Sequence, residues 1–184
     1  AMSTPFTYTN RRERTYYLRE VTTKTGKTRY VFSKSPGKGA LGALPAGYEV
    51  AETLNGVLSL VKAGASPIRP DELQTVVSEL RRHKRLERYA AEVRGDAVLV
   101  SEPIGGMDVL EGRALGLTRA FVEKLWAKAQ YSPLLRFRLV DAAERAFTVD
   151  RMCFRGGSEG WMDLGGLDTL QSLAREYVLH LGKP

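Results

Sequence analysis

The sequence predicts an α+β fold with antiparallel sheets, on three observations. Short β-branched and aromatic runs joined by glycine-containing turns fill the first sixty or so residues. Three amphipathic helical stretches are spread among further strands. Strands and helices never alternate as a parallel sheet requires. The expected layout is a small N-terminal antiparallel sheet of two hairpins, followed by a mixed unit of about three helices and about five antiparallel strands.

Taken in order, residues 1–13 are polar and aperiodic and predict a flexible arm, with Ala1 ahead of Met2 set aside as a cloning remnant. Residues 14–63 predict a basic β-hairpin domain. Its first hairpin joins 14–23 to 28–33 through Lys24-Thr25-Gly26-Lys27, Gly26 supplying the positive φ. A connection rich in glycine and proline covers 34–47 and reads as flexible. Two runs at 48–52 and 57–61 flank Asn55-Gly56, which predicts a second hairpin with a type I′ turn.

The linker candidate spans 62–69, and an α+β domain follows over 70–184. Pro70-Asp71-Glu72 opens a helix, with Leu73, Val76, Val77 and Leu80 forming one stripe and Arg81–Arg85 closing it. Residues 89–93 and 97–100 predict a hairpin around Arg94-Gly95-Asp96, ended by Pro103-Ile104-Gly105-Gly106. Thr118 caps a second helix striped by Val122, Leu125, Trp126 and Ala129. Leu135, Phe137 and Leu139 alternate with Arg136 and Arg138 in a strand over 134–140. The next strand, 146–154, changes parity after Val149, which predicts a bulge near Asp150-Arg151. Trp161–Leu164 is a short strand. A helix over 168–181 is striped by Leu170, Leu173, Ala174, Tyr177, Val178 and Leu181, with Gly182 as its C′ residue.

Charge is unevenly placed. The chain carries a net +7, and residues 1–40 hold all of that excess, with nine Lys or Arg against two Glu. An excess of this kind favours anionic partners. No apolar run spans a membrane, no signal-peptide core precedes Arg11, and Cys153 is the only cysteine, so no intramolecular disulfide or cysteine zinc site forms. A cytoplasmic protein without a membrane partner is expected.

Catalytic motifs are incomplete. Gly37-Lys38-Gly39-Ala40-Leu41-Gly42 spells G-x-G-x-x-G but runs into Leu44-Pro45 where a phosphate-binding helix is required. Gly26-Lys27-Thr28 resembles the end of a phosphate loop, but Val21 stands where its first glycine belongs. Arg94-Gly95-Asp96 spells an adhesion tripeptide and suits a tight turn. His83 and His180 share no ligand spacing, and Cys153 reads as an inert thiol in a strand. The chain has no Glu-x-Lys triplet of the metal-dependent nuclease type, and Asp108 with Glu111 and Asp141 with Glu144 read as solvated loop acids. No cofactor or metal is expected.

Two basic features remain. Helix-end electrostatics accounts for Arg81–Arg88. No dipole accounts for the N-terminal charge, where aromatics are interleaved with it. The predicted function is therefore non-catalytic nucleic-acid binding, DNA or RNA: Arg14, Arg19, Lys24, Lys27, Arg29 and Lys34 on phosphates, Tyr16, Tyr17 and Tyr30 as faces for unpaired bases. The alternative is that these rings are sheet core, in a protein–protein adaptor or assembly subunit that offers strand edges to a protein partner. An enzyme whose acids converge only in three dimensions ranks third.

Overall fold

The computed structural model describes residues 4–105, 116–155 and 158–183. Three helices and eleven strands, counted among the described residues, make the fold α+β, and the strand pairs run antiparallel. The chain divides into two compact units, Ala1–Ala65 with Asp108–Ala129 and Ser66–Met107 with Gln130–Pro184.

In the first unit, β1 (Thr7–Thr9), β2 (Thr15–Thr22) and β3 (Thr28–Ser33) form one sheet in that order, while β4 (Tyr48–Glu52) and β5 (Leu58–Lys62) pair as a hairpin of their own. Residues 7–9, expected in a flexible arm, are thus a strand, paired with Thr15–Tyr17. The cause lies in the turn between them, which recurs.

Asn10, Thr23 and Thr53 each head a five-residue turn of one geometry. Each donates its backbone N–H to the carbonyl four residues on: Arg14 at 2.9 Å, Lys27 at 2.8 Å and Val57 at 3.0 Å. Its side-chain oxygen accepts the N–H of that same residue, at 3.0, 3.1 and 3.2 Å. The fourth position is left-handed in all three: Glu13 at φ 60°, Gly26 at 77° and Gly56 at 74°. Asn55 has no positive φ, so the expected type I′ turn is instead a type I turn closed by a left-handed glycine. The Thr53 hydroxyl supplies the reason, because it holds the wider loop by accepting Val57 N–H.

Glu13 occupies a position that the other two turns give to glycine. A left-handed Glu is strained, and Glu13→Gly is expected to raise the melting temperature by a few degrees. A fall in a thermal melt would show that the Glu13–Lys128 ion pair outweighs the strain.

The segment 34–47 is less loose than its composition suggests. Gly39–Leu41 runs beside β2 where β1 ends: Glu20 N–H donates to the Gly39 carbonyl at 2.8 Å and Leu41 N–H to the Leu18 carbonyl at 3.0 Å. Strand β2 is therefore paired on both sides, and Leu18 at its centre is fully buried. Helix α2 (Arg119–Ala127) also belongs to this unit, capped by the Thr118 hydroxyl on Phe121 N–H, with Trp126 and Ala129 buried on its expected stripe.

In the second unit, β6 (Ala90–Arg94), β7 (Ala97–Ile104), β8 (Gln130–Asp141), β9 (Ala146–Arg155) and β10 (Ser158–Asp163) lie in the order β10-β9-β8-β7-β6, and β11 (Asp168–Thr169) joins β9. Helices α1 (Pro70–Arg81) and α3 (Leu170–Val178) cover one face. Val76 and Leu80 of α1 and Leu173 and Val178 of α3 bury against the cross-strand row Val98–Phe137–Val149. Helix α3 starts at Leu170 because Thr169 caps it, accepting Ser172 N–H at 3.3 Å.

Two expectations are corrected here. Strand β7 is not ended at Pro103: it continues to Ile104, opposite Gln130. Beyond Ser101 its β6 neighbour has ended, and a proline is tolerated on an edge. Nor is there a bulge at Asp150-Arg151, where β9 keeps register with both β8 and β10. The parity change instead marks a buried acid. Asp150, only 2 % exposed, meets Arg136 on the sheet face away from the helices, through Nε at 2.8 Å and Nη2 at 2.7 Å. The bulges fall between Val100 and Ser101 on β7 and between Leu139 and Asp141 on β8.

Candidate nucleic-acid interface

Cross-strand register decides which predicted residues can act together, because directly paired residues share a face. On β2 and β3 the pairs are Leu18–Phe32, Glu20–Tyr30 and Thr22–Thr28 on one face, and Tyr17–Ser33, Arg19–Val31 and Val21–Arg29 on the other. Tyr16, Tyr30 and Phe32 thus lie on the face of buried Leu18, whereas Arg19 and Arg29 lie on the opposite face with Tyr17 alone. Arg19 and Arg29 therefore do not share a face with Tyr16, Tyr30 and Phe32.

The predicted residues sort into four groups. Tyr30 is core-like, packing edge-on against Tyr48 with ring centres 5.5 Å apart. Arg19 is engaged in its own loop: Nε and Nη2 donate to the Lys38 carbonyl at 3.0 and 2.8 Å, and the guanidinium lies over Gly37. Lys24, Lys27 and Arg29 stand exposed around the far turn of the hairpin, and no ion pair engages them among the described residues. Arg14, Tyr16, Tyr17 and Lys34 are gathered at the other end of the sheet, where Tyr17 pairs with Ser33 and Lys34 lies one residue past it. Along the hairpin the two ends are about 30 Å apart.

At that second end is a cleft of about 320 Å³, lined among others by Asn10, Arg12, Arg14, Tyr16, Phe32 and Val57. Two of the recurring turns form its walls, Asn10–Arg14 and Thr53–Val57. Asn10, 4 % exposed, ties them together: its Nδ2 donates to the Gly56 carbonyl at 2.7 Å, while its Oδ1 accepts Arg12 and Arg14 N–H at 3.1 and 3.0 Å. A side chain at Gly56 would meet Asn10 Nδ2 at 2.8 Å. The Arg11 guanidinium donates to the Leu54 carbonyl, and Arg11 N–H to Glu52 Oε1 at 2.6 Å. Glu52 Oε2 also accepts the Tyr8 phenol at 3.2 Å, and burial, helped by this carboxylate, holds the Tyr8 pKa above its ordinary value. Tyr8 therefore remains a neutral donor at neutral pH.

Arg12 and Asn10 were not singled out as site residues from the sequence. The available signal was the shared Asn/Thr-x-x-Gly/Glu turn pattern, which brings two loops of like shape together. Among the described residues Arg12 Nε is buried without a hydrogen-bond partner, and its Nη2 reaches the Ala129 carbonyl at 3.5 Å.

The other candidates resolve into structural roles. Arg81 Nη1 donates to the Glu87 and Tyr89 carbonyls at 2.9 and 3.1 Å, Arg82 pairs with Glu79, and Arg85 donates to the Leu179 and Leu181 carbonyls at the end of α3. That basic run serves helix ends. His83 lies 3.7 Å from Glu79, His180 is exposed past α3, and Cys153 is half-buried and unpaired. Asp141 Oδ1 accepts Ala143 and Glu144 N–H, an Asx turn. Asp108 and Glu111 lie outside the described residues. Among the described residues no three His, Cys, Asp or Glu are grouped to hold a metal, and no helix is long and apolar enough to cross a membrane. Gly37 and Gly39 serve close packing against β2, and no helix follows Gly42.

Comparison with protein-family models, with curated proteins and with solved structures finds no match for this chain.

Proposed function

We propose that this protein binds nucleic acid without catalysis, its N-terminal hairpin contacting phosphates through Lys24, Lys27, Arg29 and Lys34. One observation carries the reading. These four cations are exposed and lack ion pairs among the described residues, whereas Arg81, Arg82 and Arg85 of the other basic run are engaged. Cations held apart from acids are free to displace the counterions of a polyanion, which is the main source of sequence-independent affinity. Arg19 contributes to the loop rather than to phosphates, and Tyr30 belongs to the packing against Tyr48. DNA and RNA present the same phosphates to such a surface.

The test is fluorescence anisotropy with labelled single-stranded and duplex oligonucleotides, comparing the native chain with a Lys24→Glu/Lys27→Glu/Arg29→Glu variant. These residues are exposed, so the variant keeps its fold. The expected result is a loss of affinity of at least ten-fold at low salt. Equal binding by both proteins would place the contact elsewhere. No binding by either would leave the alternative, a protein partner adding a strand to the open edge of β10.

A further inference from the structure

We propose that the cleft between the Asn10–Arg14 and Thr53–Val57 turns holds one unpaired nucleotide, its base against Tyr16 and Phe32 and its phosphate against Arg12 and Arg14. The inference rests on the nucleic-acid reading above and names the strand class that reading leaves open.

Four features of the cleft point the same way. Its volume, about 320 Å³, is at the small end of ligand pockets, which suits one nucleotide and not a base pair. Its lining combines the half-buried aromatic residues Tyr16 and Phe32 with two arginines and, among the described residues, contains no carboxylate. The groove along α1 and α3 differs on this last point, with Asp71 and Glu79 set against Arg82 and Arg175, so it has no preference for an anion. Among the described residues the Arg12 guanidinium makes a single long hydrogen bond, from Nη2 to the Ala129 carbonyl at 3.5 Å, and forms no ion pair, so its charge is left without an anionic partner. Arg14 adds a second cation that forms no ion pair among the described residues. Finally, Asn10 fixes both walls through three hydrogen bonds, so the cavity exists before any ligand enters it.

A base in a duplex is stacked and paired, and its faces are closed to Tyr16 and Phe32. A single strand offers them. The cleft therefore selects single-stranded nucleic acid, while the far-turn cations add affinity for either form. A stacked strand rising about 3.4 Å per nucleotide needs on the order of nine nucleotides to engage both ends of the hairpin.

The test uses the full chain with a labelled 15-nucleotide oligothymidylate, a duplex of equal length, and 5′-thymidine monophosphate followed by NMR. The monophosphate should shift the backbone amides of Arg14, Tyr16, Gly56 and Val57 more than thymidine or inorganic phosphate does. Tyr16→Leu should weaken single-strand binding at least five-fold and leave duplex binding unchanged. Because Tyr16 is half-buried, Val57→Glu serves as a second variant. That side chain is 61 % exposed on the cleft rim, and a carboxylate there should weaken single-strand binding at least ten-fold without unfolding the protein. If charge reversal at Lys24, Lys27 and Arg29 abolishes binding but neither cleft variant changes it, the cleft proposal is overturned and the hairpin reading stands. If the native chain binds no oligonucleotide at low salt, the hairpin reading fails and the cleft proposal with it.

Discussion

Gly39→Ala is expected to cost about 3–4 kcal/mol of the first unit's stability. Two terms add. Gly39 sits at φ 82°, and an L-residue there loses about 1–2 kcal/mol. A Cβ at this position would also overlap the backbone carbonyl oxygen of Glu20, which cannot rotate away as a side chain would. Relieving that overlap separates Gly39–Leu41 from β2 and breaks the Glu20–Gly39 and Leu41–Leu18 backbone bonds, each contributing about 1 kcal/mol. Gly26→Ala is the control. Its φ of 77° is similar, but open space surrounds the position, so only the backbone term of about 1–2 kcal/mol applies. Urea denaturation of the two variants measures the difference. Equal losses would show that the close approach to β2 contributes nothing.

In the second unit, Arg136→Met is expected to cost about 3 kcal/mol, because it strips a buried carboxylate of its main partner. Asp150 is 2 % exposed, and the remaining cation, Arg138, stands at 3.7 Å. The double variant Arg136→Met/Asp150→Leu should recover most of the loss, since a buried ion pair contributes little beyond an apolar pair of similar volume. The Arg136 guanidinium also lies over the Trp161 ring at 4.5 Å, so Trp161 emission reports whether the local packing changes. Failure of the double variant to recover would mean that the pair specifies the register of β8 and β9 as well as neutralising a charge.

Much of the architecture was legible in the sequence because it follows from local rules. Thr118 capped α2 where a hydroxyl preceded an amphipathic stripe, Pro70 opened α1, and the bounds of β3 and β4 matched their β-branched and aromatic runs. What was hidden depended on contacts distant along the chain. Thr7–Thr9 form a strand only because Asn10 accepts two backbone N–H groups and closes the turn onto Thr15. The parity change at Asp150 imitated a bulge because a carboxylate can be buried when an arginine from the neighbouring strand reaches it. Alternation alone has no means to register that pairing.

The candidate site was legible in composition and not in arrangement. Interleaved cations and rings were visible along residues 14–34. Which of them share a face was fixed by the pairing of β2 with β3, and that set Arg19 and Arg29 apart from Tyr16 and Tyr30. The involvement of Arg12 required the Asn10–Gly56 contact between two turns forty-six residues apart. No pattern local to either turn contains it.

The most direct measurement is the salt dependence of single-strand binding by the native chain. Contact of Lys24, Lys27, Arg29 and Lys34 with phosphates predicts a plot of log affinity against log salt with a slope of about −3, steeper if Arg14 joins them. A slope near zero, or no binding at low salt, would contradict the account and return the N-terminal charge to a role in solubility or protein association.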